Sequence, residues 1–310
     1  MIVIIGSINM DLVLRVPRMP LPGETITGGR FRTIPGGKGA NQAVACARLS
    51  EDNVKVAMVA CLGDDAFGAE LRTALRQDGV DDTHIATIPD TASGIASILV
   101  DDNGQNSIVL APGANAALSP DHVDAARSLI EQARIVVLQL ESPLPTVLHA
   151  VRLARELGKT VVLNPAPAQA LPTALLAHID YLVPNEIEAA MLAGTAAGVG
   201  EEELAAIVAG LRANGSSKVL ITLGDKGVYA ALTSEAEAEA GAAGLHFPAQ
   251  AVKAVDTTAA GDTFIGGFVA ALAGGRSEAD AIAFGQRAAA LSVVREGAQT
   301  SIPHRRELEH

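Results

Sequence analysis

The chain has few aromatic residues and little basic charge. Only 3% of its 310 residues are Phe, Trp or Tyr, none is Trp, and 23 Lys and Arg stand against 35 Asp and Glu, a formal net charge of −12. Proteins that bind nucleic acid need clustered Lys and Arg for the phosphates, and single strands also need rings on which bases stack. The composition therefore argues against a nucleic-acid partner.

Long apolar runs, cysteine pairs and metal-ligand patterns are also missing. No uninterrupted apolar stretch approaches the ~20 residues of a membrane span, and the opening run Met1–Gly6 is too short for a secretory leader. Cys46 and Cys61 are too few for a disulfide framework and lie in apolar sequence, which predicts buried free thiols. The His residues show no paired spacing that would indicate zinc. We therefore expect a cytoplasmic protein with no membrane partner.

Short apolar runs alternate with amphipathic segments along most of the chain. The runs are rich in Val, Ile and Leu at consecutive positions, as in strands covered on both faces. They predict strands at Ile2–Ile5, Val54–Ala60, Ile135–Leu140, Thr160–Leu163, Tyr181–Val183 and Val219–Leu223. Helical spacing predicts helices at Ala40–Leu49, Phe67–Leu75, Val123–Ile130, Thr146–Leu157 and Phe264–Leu272. This alternation implies an α/β protein with a mainly parallel sheet and helices on both faces.

Two stretches interrupt the alternation with period-two segments. Asp11–Pro35 contains Leu12–Val16 and Glu24–Thr27 with prolines between them, and Ile95–Leu110 is typical of a hairpin that turns at Asn103-Gly104. Both are interpreted as antiparallel ribbon inserted into the α/β body. Such a ribbon forms a lid or a subunit contact, or it is an ordinary edge decoration, and composition does not choose between these.

No linker or internal repeat divides the chain. We therefore predict a single α/β domain over residues 1–310, with a discontinuous β lid inserted at about 11–35 and 95–111. The low-complexity run Glu235–Gly244 predicts a solvated loop.

A glycine-rich segment, Gly36-Gly37-Lys38-Gly39-Ala40-Asn41, joins the first ribbon to a predicted helix. Glycines at a helix start allow a polar ligand to approach backbone N–H groups closely. Lys38 and Asn41 add directional donors. A flexible turn capped by Asn explains the same residues equally well, so the spacing alone leaves both interpretations open.

The strongest pattern is Asp256-Thr257-Thr258-Ala259-Ala260-Gly261-Asp262-Thr263, directly before a predicted helix. Small residues at a helix start leave several N–H groups open, and with the helix dipole they favour negative charge. Asp262 could also be a simple helix cap. A cap does not need the preceding Ala-Ala-Gly run, so an anion site is the favoured interpretation.

Seven motifs together resemble the ribokinase-like (PfkB) family of sugar kinases, which are α/β three-layer sandwiches with a small β lid. The motifs, spread over nearly the whole chain, are Asn9-x-Asp11, Gly36–Asn41, Gln139-Leu-Glu141-Ser-Pro, Leu163-Asn-Pro-Ala-Pro167, Pro184-Asn185-Glu-x-Glu188, Ile221-Thr-Leu-Gly224 and Asp256–Thr263. The first two are most like those of the family's ribose-specific members. The resemblance implies ATP-dependent phosphorylation of D-ribose at O5.

The resemblance also implies a sugar site and a catalytic base. Asp11 would hold two sugar hydroxyls, since a carboxylate accepts two hydrogen bonds at once; the other sugar ligands would be Asn9, Gly37, Lys38, Asn41, Glu141 and Asp262. Asp262 would take the proton from the attacking hydroxyl, with a pKa lowered by the helix N-terminus. The N–H groups of Ala259, Ala260, Gly261 and Asp262 would stabilise the transferred phosphoryl group.

For the nucleotide, the resemblance points to magnesium and to a set of loop residues. Asn185 and Glu188 would act on phosphate and Mg²⁺ through water. The adenine end would use Thr222, Gly224, Gly227 and Gln286. Position 286 is more often Asn or His in the family, which puts that base contact in doubt.

A monovalent cation site is implied beside the anion site. It would bind K⁺, mostly through backbone carbonyls, at Asp256, Thr258, Ser292, Arg295, Gly297 and Ser301. The bound ion would order the loop that presents the anion-site N–H groups.

Other functions and an assembly are also considered. A kinase for another sugar or a nucleoside is the alternative enzyme, although a nucleoside would need an aromatic surface in the lid, where Phe31 is available. A non-catalytic sugar-binding protein is less favoured because Gly261 and Asp262 are both present. The resemblance suggests a homodimer formed by two lids, which would cover exposed ribbon edges.

Overall fold

The computed structural model describes residues 1–232 and 244–308. Of the low-complexity run Glu235–Gly244, only its last residue lies within the described part. The strands are β1 Ile2–Ile5, β2 Asn9–Arg15, β3 Phe31–Gly36, β4 Val56–Gly63, β5 Val80–Ile88, β6 Gly94–Val100, β7 Asn106–Ala111, β8 Ile135–Leu138, β9 Thr160–Leu163, β10 Tyr181–Leu182, β11 Lys218–Thr222, β12 Val228–Ala231 and β13 Leu245–Phe247. The α-helices are α1 Lys38–Leu49, α2 Ala66–Gln77, α3 Pro120–Ala125, α4 Arg127–Gln132, α5 Leu144–Glu156, α6 Thr173–Leu176, α7 Glu186–Ala193, α8 Glu201–Ala213, α9 Ala260–Ala273 and α10 Glu278–Ser292.

Nine strands form the central sheet, in the order β13-β12-β11-β10-β9-β8-β1-β4-β5. Every neighbouring pair from β11 to β5 is parallel, and β12 and β13 add antiparallel pairs at one edge. Two apolar cores, one on each face, cover the sheet. The predicted α/β class with a mainly parallel sheet is therefore confirmed.

The central strands match the prediction because both of their faces are buried. β1, for example, is buried at all four positions, and its side chains divide between the two cores. Edge strands were missed: in β5 only Val80 and Ile85 are buried, and the strand contains Asp81, Asp82 and His84. The single helix predicted over Val123–Ile130 is two short helices, α3 and α4, which meet at Ala126.

A second, four-stranded sheet has the order β3-β2-β6-β7. Its outer pairs are antiparallel, but the central pair β2–β6 is parallel, which the antiparallel prediction missed. Both central strands start at the body, where Asn9 is paired with Gly94, and run outward side by side. No strand forms at the predicted segment Glu24–Thr27. The strand in this part of the chain is β3, where neither face is fully buried, so burial does not enforce an alternation of polar and apolar residues.

Helices α1 and α9 pack unusually closely because of one glycine. A Cβ atom on Gly266 would come 2.2 Å from the Cβ of Ala45, and the Cys46 thiol lies 3.7 Å from the Gly266 carbonyl oxygen. One turn earlier on each helix lie Asn41, Gln42 and Asp262. Close helix packing thus fixes the separation of three polar side chains that come from distant parts of the chain.

We expect Gly266→Ala to destabilise the protein by about 1–3 kcal/mol, because the two helices must separate to admit the methyl group. Urea unfolding would measure this loss. Gly274→Ala is the matched control at the end of α9, because its Cβ would find only ordinary contacts, at 3.4 Å or more. Equal stability of both variants would contradict the proposed role of the close approach.

None of the helices that the structure describes is long and apolar enough to cross a membrane.

Candidate active site

A cavity of about 380 Å³ opens at the carboxyl end of the central sheet. Ligands collect at this edge in α/β proteins because the loops after parallel strands meet there. Its lining combines Lys38, Asp262 and the loops after β9, β10 and β11, and includes Asn164, Ala166, Val183, Asn185, Glu186, Glu188, Thr222, Gly224, Thr257, Ala259, Ala260, Gly261 and Ile265.

The N-terminus of α9 forms one wall of this cavity. Ala259 precedes the helix in a left-handed conformation, with φ 59°, and a Cβ on Gly261 would meet no atom within 4 Å. Of the predicted anion-site donors, the Ala260 N–H is already bonded to the Thr257 carbonyl at 3.2 Å. The first turn of a helix leaves N–H groups without carbonyl partners, so Gly261 and Asp262 are the donors best placed to meet an anion.

Asp262 is 8% exposed as a residue, and two side-chain amides hold its carboxylate. Asn41 Nδ2 donates to Oδ2 at 3.0 Å, and Gln42 Nε2 donates to Oδ1 at 2.9 Å. Burial raises the pKa of Asp262, against the charge of Lys38 and the two amide bonds, which lower it. The pKa lowering expected from the helix N-terminus was therefore wrong in direction, because desolvation of the carboxylate outweighs it.

The predicted sugar residues lie together at the base of the small sheet. Glu141 Oε2 accepts three hydrogen bonds, from Ser7 Oγ at 2.6 Å, the Lys38 N–H at 3.1 Å and Asn9 Nδ2 at 3.4 Å. Asn115 in turn donates from Nδ2 to Asn9 Oδ1 at 2.7 Å, which fixes the orientation of the Asn9 amide. Sequence reasoning missed Ser7, which is buried in the loop after β1, and Asn115, which is buried in the short 3₁₀ helix Gly113–Ala117.

Glycines let the segment Gly36–Asn41 approach this group closely. A Cβ on Gly37, where φ is 89°, would come 2.6 Å from the Asn9 nitrogen. A Cβ on Gly36 would come 2.4 Å from Asp11 Oδ2. The glycines are therefore required for packing, and a merely flexible turn does not explain them.

Four carboxylates, Asp11, Glu141, Glu188 and Asp262, and the ammonium group of Lys38 dominate the electrostatics. Burial raises the pKa of Asp11 to about 7, with further contributions from the negative charges of Glu141 and Asp262. Burial by itself lowers the pKa of Lys38, but Asp262, Glu141 and Glu188 together raise it above its usual value. Lys38 is thus held in its charged form in the middle of the carboxylates.

Asn185 and Glu188 form the N-terminal cap of α7. Asn185 Oδ1 accepts the N–H groups of Ile187 and Glu188, and Glu188 Oε2 accepts the Asn185 N–H at 2.9 Å. Each side chain keeps a polar atom outside these bonds, and both residues line the cavity. In the described ranges no three His, Cys, Asp or Glu side chains form a metal cluster. The residues present fit a Mg²⁺ ion held mainly by phosphates and water.

The predicted adenine residues divide into two groups. Thr222 and Gly224 line the cavity. Gly227 and Gln286 instead lie at β13: Gln286 Nε2 donates to the Phe247 carbonyl at 2.7 Å, and a Cβ on Gly227 would come 2.1 Å from that oxygen. The Gln286 amide therefore binds the backbone of β13, and neither Gln286 nor Gly227 is among the residues that line the cavity.

The residues of the predicted K⁺ site join two loops beside α9. Asp256 Oδ1 accepts from the N–H and hydroxyl of Thr258, and Oδ2 accepts the Gly297 N–H at 2.9 Å. The hydroxyls of Ser292 and Ser301 donate to nearby carbonyls, and the Arg295 guanidinium is bound to Glu307. Backbone carbonyl oxygens are thus the main ligands left for a cation at these residues. A ligand set made of oxygen atoms alone fits a weakly held monovalent ion.

The chain is similar throughout its length to known sugar kinases. Residues 1–305 match the model of the pfkB family carbohydrate kinases. Ribokinase of Haemophilus influenzae is 46% identical, with 99% of this chain and 98% of that protein covered. Deoxyribokinase of Salmonella typhi is 38% identical, with 97% and 95% covered. Arabidopsis thaliana ribokinase, solved with ribose and ATP, is 32% identical with a TM-score of 0.88, covering 99% and 96%. This chain therefore belongs to the pfkB family of carbohydrate kinases.

Proposed function

We propose that the protein transfers the γ-phosphoryl group of ATP to O5 of D-ribose, giving D-ribose 5-phosphate. The observation that carries this proposal is the position of Asp262. Its carboxylate lies at the wall of the cavity and is bonded to Asn41 of the glycine-rich segment, so one group faces both the phosphate space and the polyhydroxy pocket. The ribokinases among the relatives, one of them solved with ribose and ATP, support the substrates.

In the proposed reaction, Asp262 accepts the proton of the sugar's primary hydroxyl as the oxygen forms its bond to the γ-phosphorus. The bond from that phosphorus to the β,γ-bridging oxygen breaks, and ADP leaves. The loose transition state needs positioning and charge stabilisation more than strong basicity. The raised pKa of Asp262 brings this base closer to neutral pH, where general bases are most effective.

The remaining residues hold the two substrates. Asp11 and Glu141 accept hydrogen bonds from sugar hydroxyls, while Lys38 and Asn41 donate to sugar oxygens; Asn9 and Gly37 shape the pocket. The open N–H groups of Gly261 and Asp262 bind the transferred phosphoryl oxygens. Thr222 and Gly224 border the nucleotide, and Gln286 with Gly227 keeps the β13 backbone in place next to it. Mg²⁺ held by the phosphates near Asn185 and Glu188 would neutralise charge between ATP and the four carboxylates of the site.

A monovalent ion at the Asp256 loop would be a structural activator. We expect replacement of K⁺ by Na⁺ to lower the turnover number several-fold, since the smaller ion fits a carbonyl cage of this kind less well. Initial rates in matched chloride salts at equal ionic strength would measure the effect. Equal rates in both salts would contradict the K⁺ site.

Assembly and location belong to the same proposal. Strand β7 exposes Ile108, Val109 and Leu110 at the edge of the small sheet, and edges of this kind need covering. Pairing of two small sheets into a homodimer would bury them, and the molecular mass in solution tests it.

The need for ATP and the two free cysteines support a cytoplasmic location.

Coupled ATP consumption over a panel of sugars tests the function. The panel contains D-ribose, 2-deoxy-D-ribose, other pentoses, hexoses and nucleosides. 2-Deoxyribose is the competitor to exclude, because a deoxyribokinase is among the similar proteins. We expect the highest kcat/KM with ribose. Absence of a ribose-dependent signal would reject the substrate, and absence of any signal would favour a non-catalytic sugar-binding protein.

A further inference from the structure

Behind Asp262 lies a chain of buried amides that no step of the proposed reaction uses. Gln42 is 0% exposed and Gln139 is 1% exposed. Gln139 Nε2 donates to Gln42 Oε1 at 2.5 Å, and Gln42 Nε2 donates to Asp262 Oδ1 at 2.9 Å. The chain thus runs from the end of β8, through α1, to the carboxylate at the start of α9.

The direction of the hydrogen bonds is set at the Asp262 end. An ionised carboxylate only accepts hydrogen bonds, so the NH₂ group of Gln42 faces Asp262 and Asn164 Oδ1, the latter at 3.3 Å, and the Gln42 carbonyl is left to accept from Gln139. Asn164 cannot reverse its own amide without losing the bond from its Nδ2 to the Val183 carbonyl at 2.9 Å. Gly6 leaves the room for Gln139, since a Cβ there would come 2.1 Å from Gln139 Oε1.

Packing alone does not account for an amide at position 42. The residues that follow it in α1, Ala43, Val44, Ala45 and Cys46, are all buried and apolar. A methionine would fill the same space without burying polar atoms, which is costly unless they are bonded. Among the described residues, Gln139 Oε1 has no hydrogen-bond partner, so burial of the two amides costs free energy, and the chain ends on a carboxylate.

We propose that Gln42, oriented by Gln139, is a positioning residue for the catalytic base Asp262. It holds Oδ1 in place and stabilises the ionised carboxylate, while Asn41 holds Oδ2. The charged groups that act on this carboxylate from the neighbouring elements are Lys38, Glu141, Asp11 and Glu188. The inference rests on the proposed function in one respect only, that Asp262 is the base.

The first test is Gln42→Met, which keeps the length of the side chain and removes the donor. We expect kcat to fall about 10- to 100-fold, the range of a lost hydrogen bond to a charged group, with the KM for the sugar changed less than threefold. A bond to the charged form lowers a carboxyl pKa. Its loss raises the pKa of Asp262, so the acid limb of the kcat profile moves to higher pH. An unmoved acid limb, or a loss confined to KM, would overturn the proposal.

The second test is a cycle with Gln139→Met. Alone it should lower kcat about 3- to 10-fold, because Gln42 loses the partner that orients it. The double variant should be no slower than Gln42→Met, because Gln139 acts on Asp262 only through Gln42. If the two residues had independent structural roles, their effects on the activation free energy would add. A double variant whose kcat falls by the product of the two single factors would therefore reject the hydrogen-bonded chain.

A readout without turnover separates this inference from the proposed function. Carbon-13 NMR of the free protein, labelled at the Asp carboxyls, follows the titration of Asp262, with Asp262→Asn used to assign its signal. Gln42→Met should raise that pKa and Gln139→Met should raise it less. If no sugar were phosphorylated, the proposed function would fail while the titration still tested Gln42. An unchanged pKa in Gln42→Met would reject its role whatever the activity.

Discussion

Asp262→Asn is expected to lower phosphoryl transfer by about 100- to 10,000-fold, the usual contribution of a general base, while sugar binding changes little. The substitution keeps the shape of the side chain, and its remaining oxygen can still accept from Asn41 or Gln42. It cannot accept the proton of the attacking hydroxyl. Turnover by coupled assay and sugar affinity by calorimetry would separate the two effects.

The control for this variant is Asp121→Asn, which makes the same chemical change on the exposed first turn of α3, outside the cavity lining. It should match the unmodified protein in both measurements. Substantial turnover by Asp262→Asn would remove this residue as the base. A simultaneous loss of sugar affinity would mean that the carboxylate acts mainly in binding.

Much of the fold follows from the pattern of burial in the sequence. β1 and β9 were predicted to the residue, because a strand with both faces buried is a short, nearly continuous run of Ile, Val and Leu. β5 and β3 were missed because they lie at sheet edges, where solvent accepts polar side chains and the pattern weakens. The small sheet could be predicted as an insertion, but the parallel pairing of β2 with β6 depends on where both strands leave the body.

The residues of the candidate site likewise divide into those that local sequence predicts and those that it does not. Residues in glycine-rich or helix-start motifs, such as Lys38 and Asp262, could be found from local sequence. Ser7, Asn164 and Gln42 could not, because their roles arise only when distant segments meet. One signal was available: Gln42 stands directly before the apolar run Ala43–Cys46 and Gln139 interrupts another, and buried polar groups of this kind need partners. The prediction for Gln286 placed it in the adenine site, whereas its amide binds the backbone of β13.

The distribution of charge at the site bears on how a protein with a negative net charge can bind ATP, which is a polyanion. Glu141, Glu188 and Asp262 interact with the charge of Lys38, and Asp11 interacts with Glu141 and Asp262. Burial is the largest cause of the raised pKa values of Asp11, Glu188 and Asp262. Without further cations this arrangement repels ATP. Under the proposed function, ATP binding would depend on the open N–H groups and on Mg²⁺ at one small site, which the net charge of −12 does not exclude.

Asp11→Asn is expected to have two opposite effects, a large loss of sugar affinity and a gain in stability of the free protein above neutral pH. The sugar loses hydrogen bonds to a charged acceptor, which predicts a dissociation constant raised about 10- to 100-fold. The pKa of Asp11 is about 7 in the folded protein, raised mainly by burial, against an ordinary value of 3.8. The unfolded chain therefore ionises first, and Asp11 lowers stability progressively as pH rises from about 4 to 7.

Asparagine removes that penalty, so the variant should gain little at pH 4 and most at pH 8. The upper limit of the gain is about 4 kcal/mol, because each pH unit between the ordinary pKa and the pKa in the folded protein corresponds to ~1.4 kcal/mol. Urea unfolding at both pH values would measure it, and Asp102→Asn, in the exposed turn between β6 and β7, controls for the loss of one negative charge. An equal gain at pH 4 and pH 8 would contradict a buried, titrating carboxyl. Burial of the Asp11 carboxylate costs stability, and binding of the sugar to it should offset that cost. Unchanged sugar affinity in the variant would therefore show that Asp11 does not bind the sugar.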